Sequence, residues 1–296
     1  MAWERVAVVV AGAHAAALAD ALEAAGALSV EIADADAGTP AETSVFSEPG
    51  GEGGVWPRCR VSALFAAGVP VAEALDAALQ ASGAGALEGA SLDRLEDADW
   101  VARSQRDFAP IRAGRRLWIV PTWHEAPEPG AINIVLDPGA AFGTGSHPTT
   151  RLCLEWLEGN VTAGDSVLDY GCGSGILGIA ALKLGAAKAV GVDIDPLALD
   201  AARYNSRQNE VALAVISATE RIPAVARLTV ANILANPLRM LAPLLAAHTA
   251  MNGRLALSGI LESQAGEVIE AYAPWATLAV EAREEAWVLL AGTRHA

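Results

Sequence analysis

Lysine is nearly missing from this chain. Only Lys183 and Lys188 occur in 296 residues, and Lys and Arg together number 20 against 35 Asp and Glu. The formal charge of −15, with His neutral, repels a phosphate backbone at long range. It argues against sequence-independent nucleic-acid binding and favours basic partners. The imbalance is uneven: residues 1–91 hold 3 basic and 12 acidic side chains, residues 92–130 hold 6 and 7, and residues 131–296 hold 11 and 16. Cysteine is scarce as well. Cys59, Cys153 and Cys172 form no C-x-x-C and no framework spacing, which excludes a disulfide-built scaffold and points to a reducing compartment. The three are expected to be small buried apolar residues. No apolar run reaches the ~18–20 residues that a membrane-spanning helix needs. An alanine-rich apolar stretch at 6–13 imitates a signal peptide, but Glu4, His14 and the want of a cleavage context argue against secretion.

What is present is apolar: 53% of the residues are hydrophobic and 19% charged. That supports a full core and excludes bulk disorder. The length allows one large domain or two, and no internal repeat is found. Residues 3–10 read as a valine-rich strand, 14–25 as a helix stopped by Gly26, and 28–33 as an alternating strand. A Gly/Pro/acid loop fills 34–57. Residues 58–65 then read as a strand, 70–81 as a helix with Pro70 near its first turn, and 86–95 as a further strand. The order β-α-β-β-α-β is the ferredoxin-like α+β arrangement, assigned to 1–91. Residues 92–131 read as a linker and extension, with a short helix around Asp97–Phe108 and a strand-like Leu117–Val120.

From 132 to 296 strands alternate with helices. Strands are expected at 132–136, 166–169, 188–192, 227–231 and 253–258, with two strand-like runs at the end. Helices are expected from 148 and at 176–184, 196–208, 234–247 and 262–271. Such alternation means parallel pairing in a doubly wound, Rossmann-like α/β sheet.

The strongest local signal is Val167-Leu168-Asp169-Tyr170-Gly171-Cys172-Gly173-Ser174-Gly175-Ile176, a strand running into glycines and then a helix. Such a turn lets a ligand approach the backbone at the carboxyl end of a strand. A dinucleotide loop needs G-x-G-x-x-G, and from Gly171 the sixth place is Ile176. A phosphate-binding loop needs G-x-x-x-x-G-K-[ST], and neither lysine stands there. What remains is an acid, Asp169, two places before Gly171. It would repel a diphosphate and suits a ligand with ammonium and sulfonium centres. S-adenosylmethionine has both and no phosphate; a glycine turn without a ligand is the plain alternative.

Three further segments face the same edge. In Val192-Asp193-Ile194-Asp195-Pro196, Asp193 at a strand tip can accept both ribose hydroxyls, whereas Asp195 before Pro196 reads as a helix N-cap. Asn232, in Ala231-Asn232-Ile233-Leu234-Ala235, places a polar group at the end of another strand; a cap is its plain reading. The stretch Asp137 to Thr150 is a Gly/Thr/Ser loop before a helix, with Phe142 able to pack on a ligand. Its His147 reads as a turn residue, with a general base as the sharper option.

The segments AFGTGSHPTT at 141–150, LDYGCGSGILGIAALKLGA at 168–186, VDIDP at 192–196 and ANILANPL at 231–238 closely resemble the signature segments of the ribosomal protein L-eleven methyltransferase family (PrmA). The resemblance covers essentially the whole chain and departs from the family pattern at Ser104, four residues after Trp100, where a second tryptophan is usual. It implies a ferredoxin-like substrate-recognition domain, a linker and a class I methyltransferase domain. It also implies transfer of methyl groups from S-adenosylmethionine to lysine side chains and the α-amine of that ribosomal protein. Carried onto this sequence, the family's cofactor contacts fall on Thr150, Gly171, Asp193 and Asn232; the motif itself adds Asp169 and Gly173. Asn232 is the catalytic candidate, aiming an amine lone pair at the methyl group. No metal is expected, nor direct nucleic-acid contact, nor a membrane. The expectation is a cytoplasmic monomer acting on a basic ribosomal protein. The alternatives are another class I methyltransferase with a small amine or a different protein as substrate, a binding module with a vestigial pocket, and a dehydrogenase.

Overall fold

The computed structural model describes residues 2–37, 39, 55–96, 108–128, 130–137, 145–223 and 225–295. The chain divides into two compact units, Met1–Asp107 and Phe108–Ala296.

In the first unit, β1 (Ala2–Ala11), α1 (Gly12–Ala24), β2 (Ser29–Asp34), β3 (Arg58–Ala66), α2 (Val71–Ser82) and β4 (Ser91–Glu96) follow in chain order. The sheet order is β2-β3-β1-β4 with every pair antiparallel, the ferredoxin-like topology. Its strands alternate as a half-covered sheet must. Val6, Val8 and Val10 from β1 and Val61, Ala63 and Phe65 from β3 meet Leu18, Leu22, Val71 and Leu75 of the helices in one core. Gly83 ends α2 in the left-handed conformation, φ 66°, where a Cβ would be strained. Leu87 stays outside the last strand; its N–H donates to Val9 O at 2.8 Å, and Ala86 forms an isolated antiparallel bridge with Val10. The short helix expected at Asp97–Phe108 lies, but for its last residue, outside the described residues. So do Trp100, Ser104 and most of the 34–57 loop.

The second unit holds a small sheet and a large one. The small sheet joins β5 (Ile111–Arg112), β6 (Leu117–Val120) and β7 (Ile132–Val135) in the order β5-β6-β7. Here the expectation needs correction: the strand at 132–135 does not enter the main sheet but pairs in parallel with Leu117–Val120. Asn209, buried near the end of a helix, takes up both backbone groups of Val135, so a side chain and not another strand bonds there: Oδ1 accepts its N–H at 2.8 Å and Nδ2 donates to its carbonyl at 2.7 Å.

The large sheet is built from β8 (Ser166–Tyr170), β9 (Lys188–Asp193), β10 (Leu213–Ser217), β11 (Ala226–Asn232), β12 (Thr249–Leu261), β13 (Ala276–Glu284) and β14 (Trp287–Arg294). Its order is β10-β9-β8-β11-β12-β14-β13. The first five are parallel, and β14 runs antiparallel to both β12 and β13. Helices cover both faces: α3 (Pro148–Asn160), α4 (Ile176–Lys183), α5 (Pro196–Gln208), α6 (Ala235–Met240), α7 (Ala242–His248) and α8 (Ala265–Tyr272). Leu154 and Leu157 of α3 and Ile179 of α4 pack with Val167, Val230 and Leu289 in one core; Leu238, Leu245, Val268 and Tyr272 pack with Leu255, Leu257 and Leu290 in the other. Full burial of each such leucine or isoleucine contributes ~1.5–3 kcal/mol.

Three details depart from the sequence expectation. Leu213–Ser217 forms an edge strand where none was expected. The helix expected at 234–247 is broken at Leu241, because Pro243 has no N–H to continue it. The strand expected at 253–258 runs from Thr249 to Leu261. Cys59, Cys153 and Cys172 are all buried and free, and burial pushes each thiol pKa up. Among the described residues no helix is long and apolar enough to cross a membrane.

Candidate active site

Counted in chain order, the large sheet reads 3-2-1-4-5-7-6. The chain reverses direction across the sheet between β8 and β11, and open α/β sheets bind ligands in the crevice beyond that switch point. The glycine loop ends β8, Asp193 ends β9 and Asn232 ends β11. All lie at the carboxyl edge.

The glycine loop is stitched to its neighbour. Gly171 and Cys172 both donate backbone N–H groups to Val192 O, at 2.8 and 2.9 Å. Gly171 has φ 74°, and Gly175, at φ 80°, caps α4. A side chain at Gly171 would also run into Ile233. Asp193 holds the loop from the next strand: Oδ2 accepts the Gly173 N–H at 2.8 Å and Oδ1 accepts the Asp195 N–H at 3.0 Å. Asp195 is the N-cap of α5, its Oδ1 accepting the Leu197 N–H at 2.9 Å with Pro196 in the first turn.

Asp169 is wholly buried. Its Oδ2 accepts the Gly178 N–H of α4 at 2.9 Å, and its Oδ1 is buried with no partner among the described residues. Burial raises its pKa to about 7; the nearby Asp193 adds to the rise and the Gly178 N–H opposes it. Its visible contact is therefore beneath the loop, against α4.

Asn232 meets Thr150. Its Nδ2 donates to Thr150 Oγ1 at 3.3 Å, and its Oδ1 is buried with no partner among the described residues. Thr150 is fully buried in the first turn of α3. That turn is capped by His147, whose Nδ1 accepts the Thr149 N–H at 3.3 Å and lies 2.8 Å from Thr149 Oγ1. The His147 ring stands edge-on to Trp287 with centroids 5.0 Å apart. Burial and the charge of Arg151 lower its pKa, against an upward pull from Glu285 and Glu284. Phe142 and the rest of 138–144 lie outside the described residues.

Asp169, Gly171, Gly173, Asp193 and Asn232 are thus carried by the glycine loop and strand ends at one edge of the large sheet, and Thr150, in the first turn of α3, joins that edge through its contact with Asn232. Three residues escaped the sequence reading. Asn205 Nδ2 donates to Ser174 O of the glycine loop at 2.8 Å, and Asn209, one turn on, holds Val135. Glu158, near the end of α3, accepts the N–H groups of Arg115 and Arg116, each at 2.7 Å. The available signal was polar residues recurring in the buried stripe of a helix, as in Ala198, Ala202, Asn205 and Asn209.

A sheet in this order, with its seventh strand inserted antiparallel between the fifth and the sixth, carboxylates at two strand tips and no phosphate-binding register, defines the class I methyltransferase fold. The family model described as "Ribosomal protein L11 methyltransferase (PrmA)" matches residues 2–295, and the chain belongs to that family. Proteins named ribosomal protein L11 methyltransferase are similar along its length. One from Cupriavidus taiwanensis is 52% identical over 296 residues, covering 99% of this chain and 100% of that protein. One from Dechloromonas aromatica is 49% identical over 295 residues, covering 99% and 100%. The crystal structure of ribosomal protein L11 methylase from Lactobacillus delbrueckii subsp. bulgaricus covers 64% of this chain and 100% of its own, at 34% identity and a TM-score of 0.59.

Proposed function

We propose that this methyltransferase uses S-adenosylmethionine to methylate amino nitrogens, lysine side chains and the α-amine, of ribosomal protein L11. The observation that carries the reading is a pair of buried oxygens, Asp169 Oδ1 and Asn232 Oδ1, that have no partner among the described residues, at the edge that Asp193 and the glycine loop also form. Buried oxygens without donors are costly. They fit a ligand and a substrate that bring N–H donors and positive charge, and they do not fit a diphosphate.

In this reading Asp193 accepts the ribose hydroxyls with the lone pairs its two backbone contacts leave free. Gly171 and Gly173 keep side chains out of the crevice. When bound, S-adenosylmethionine supplies an electrophilic methyl on sulfur for displacement by an amine. Asn232 has no basic nitrogen. Its role is to accept an N–H of the incoming amine through Oδ1, while Thr150 holds its amide in one orientation. The amine must first lose a proton. At pH 7 that costs about 4.6 kcal/mol for a lysine and about 1 kcal/mol for an α-amine, and burial beside the sheet edge lowers the cost. Proton loss to water before attack is sufficient. The first unit serves as the recognition domain: its 3 basic and 12 acidic side chains in residues 1–91 steer a basic ribosomal protein.

The test is incubation with labelled S-adenosylmethionine and a ribosomal-protein mixture, followed by mass spectrometry. Label on amino groups of L11, at a rate that falls with salt, is expected. Label confined to another protein or to small amines overturns the substrate assignment.

A further inference from the structure

His147 takes no part in the chemistry above, yet it starts the helix on which Thr150 sits. It is the N-cap of α3 with Pro148 following. Its Nδ1 accepts the Thr149 N–H, and the next residue, Thr150, receives the Asn232 amide. The ring is fixed from outside by Trp287 of β14, at 5.0 Å and 68°. Arg151, one turn into α3, donates to Ser146 O and pairs with Glu284 of β13. The first turn of α3 is therefore clamped between its own cap and the β13–β14 hairpin.

We propose that neutral His147 is a positioning residue for methyl transfer: its cap sets the first turn of α3, hence Thr150, hence the Asn232 amide. The inference rests on the reading of Asn232 given above. To accept from Thr149, Nδ1 must carry a lone pair, which places the ring proton on Nε2. The charged groups that face the ring are Arg151 from α3 and Glu284 and Glu285 from the hairpin. A cation there would also oppose the helix dipole. A protonated ring cannot cap. The work of His147 is thus an acceptor's, not a base's, and another good cap can replace it.

The test is steady-state kinetics of His147→Asn, His147→Ala and His147→Phe with S-adenosylmethionine and ribosomal protein L11, beside Asn232→Ala, with melting curves and calorimetric affinity for S-adenosylmethionine. Asparagine caps a helix but cannot serve as a base; phenylalanine keeps the contact with Trp287 but cannot cap. His147→Ala and His147→Phe are expected to lose about tenfold in kcat, more than they lose in affinity. His147→Asn is expected to recover most of that loss. An impaired Asn232→Ala beside a fully active His147→Phe overturns the positioning role alone. A His147→Asn as poor as His147→Ala also overturns it, in favour of chemistry by the ring. Full kcat in Asn232→Ala overturns the reading of Asn232 and this inference with it.

Discussion

The Asn232 amide donates to Thr150 Oγ1 across 3.3 Å, tying the end of β11 to the first turn of α3. With its Nδ2 so engaged, Asn232 presents Oδ1 as an acceptor with no partner among the described residues. Asn232→Ala is expected to lower kcat about a hundredfold, and Thr150→Val about tenfold. Because the threonine acts through the asparagine, the double variant should be no slower than Asn232→Ala alone. Multiplying losses in single-turnover kinetics would show that the two residues act separately.

Asp193 does two things: it accepts two backbone N–H groups, from Gly173 and Asp195, and in the proposed site it accepts the ribose. Asp193→Ala should weaken S-adenosylmethionine binding by about a hundredfold or more, with the far-ultraviolet circular dichroism unchanged. Unaltered affinity by titration calorimetry would remove the ribose assignment.

Gly171 combines φ 74° with a close approach to Ile233. Alanine there meets two penalties, backbone strain and a steric clash, together about 2 kcal/mol. The expected fall in melting temperature is roughly 4–8 °C. Adding Ile233→Ala should restore only the steric part of the loss, leaving a residual that space alone cannot repair.

Asp169 gives a pH signature. Burial holds its pKa near 7 in the folded chain, whereas an unfolded aspartate ionises near 3.9. Between those values the folded state binds more protons than the unfolded one. This group's contribution to stability therefore falls as pH rises from about 4 to about 7, and is flat above. Asparagine carries no such slope. Relative to the parent, the melting temperature of Asp169→Asn should rise between pH 5 and pH 8, on the order of several degrees. A gap that stays constant in calorimetry would place the carboxyl in a far more polar setting.

The elements that the chain announced are those whose local pattern and tertiary environment agree. The half-covered strands β1 and β3 show their alternation, Gly26 and Gly83 stop their helices, and the acid-tipped ends of β8 and β9 stand where the motif put them. Asp195 announced itself as a cap through the proline after it. What stayed hidden depends on partners far along the chain. Leu213–Ser217 is an edge strand with only Leu213 buried, so it carries no clear alternation. The 132–135 strand is legible as a strand, but not its pairing with Leu117–Val120, nor the Asn209 side chain that bonds the backbone of Val135 from 74 residues away. The apolar pattern through 234–247 is continuous, and only the missing N–H of Pro243 divides it. At the site, residue identities were legible, whereas the Thr150–Asn232 contact joins positions 82 residues apart.

Helix α3 is gripped at both ends. Thr150 near its start holds Asn232, and Glu158 near its finish holds the backbone of Arg115 and Arg116. Eight residues separate the two grips, about 12 Å of helix. Fraying of the β5–β6 hairpin cannot stay local, because it strips the buried Glu158 carboxylate of both its backbone donors. In native-state hydrogen exchange the amides of that hairpin and those of α3 should open as one cooperative block, so a loosening far from the bound amine would be felt at Asn232.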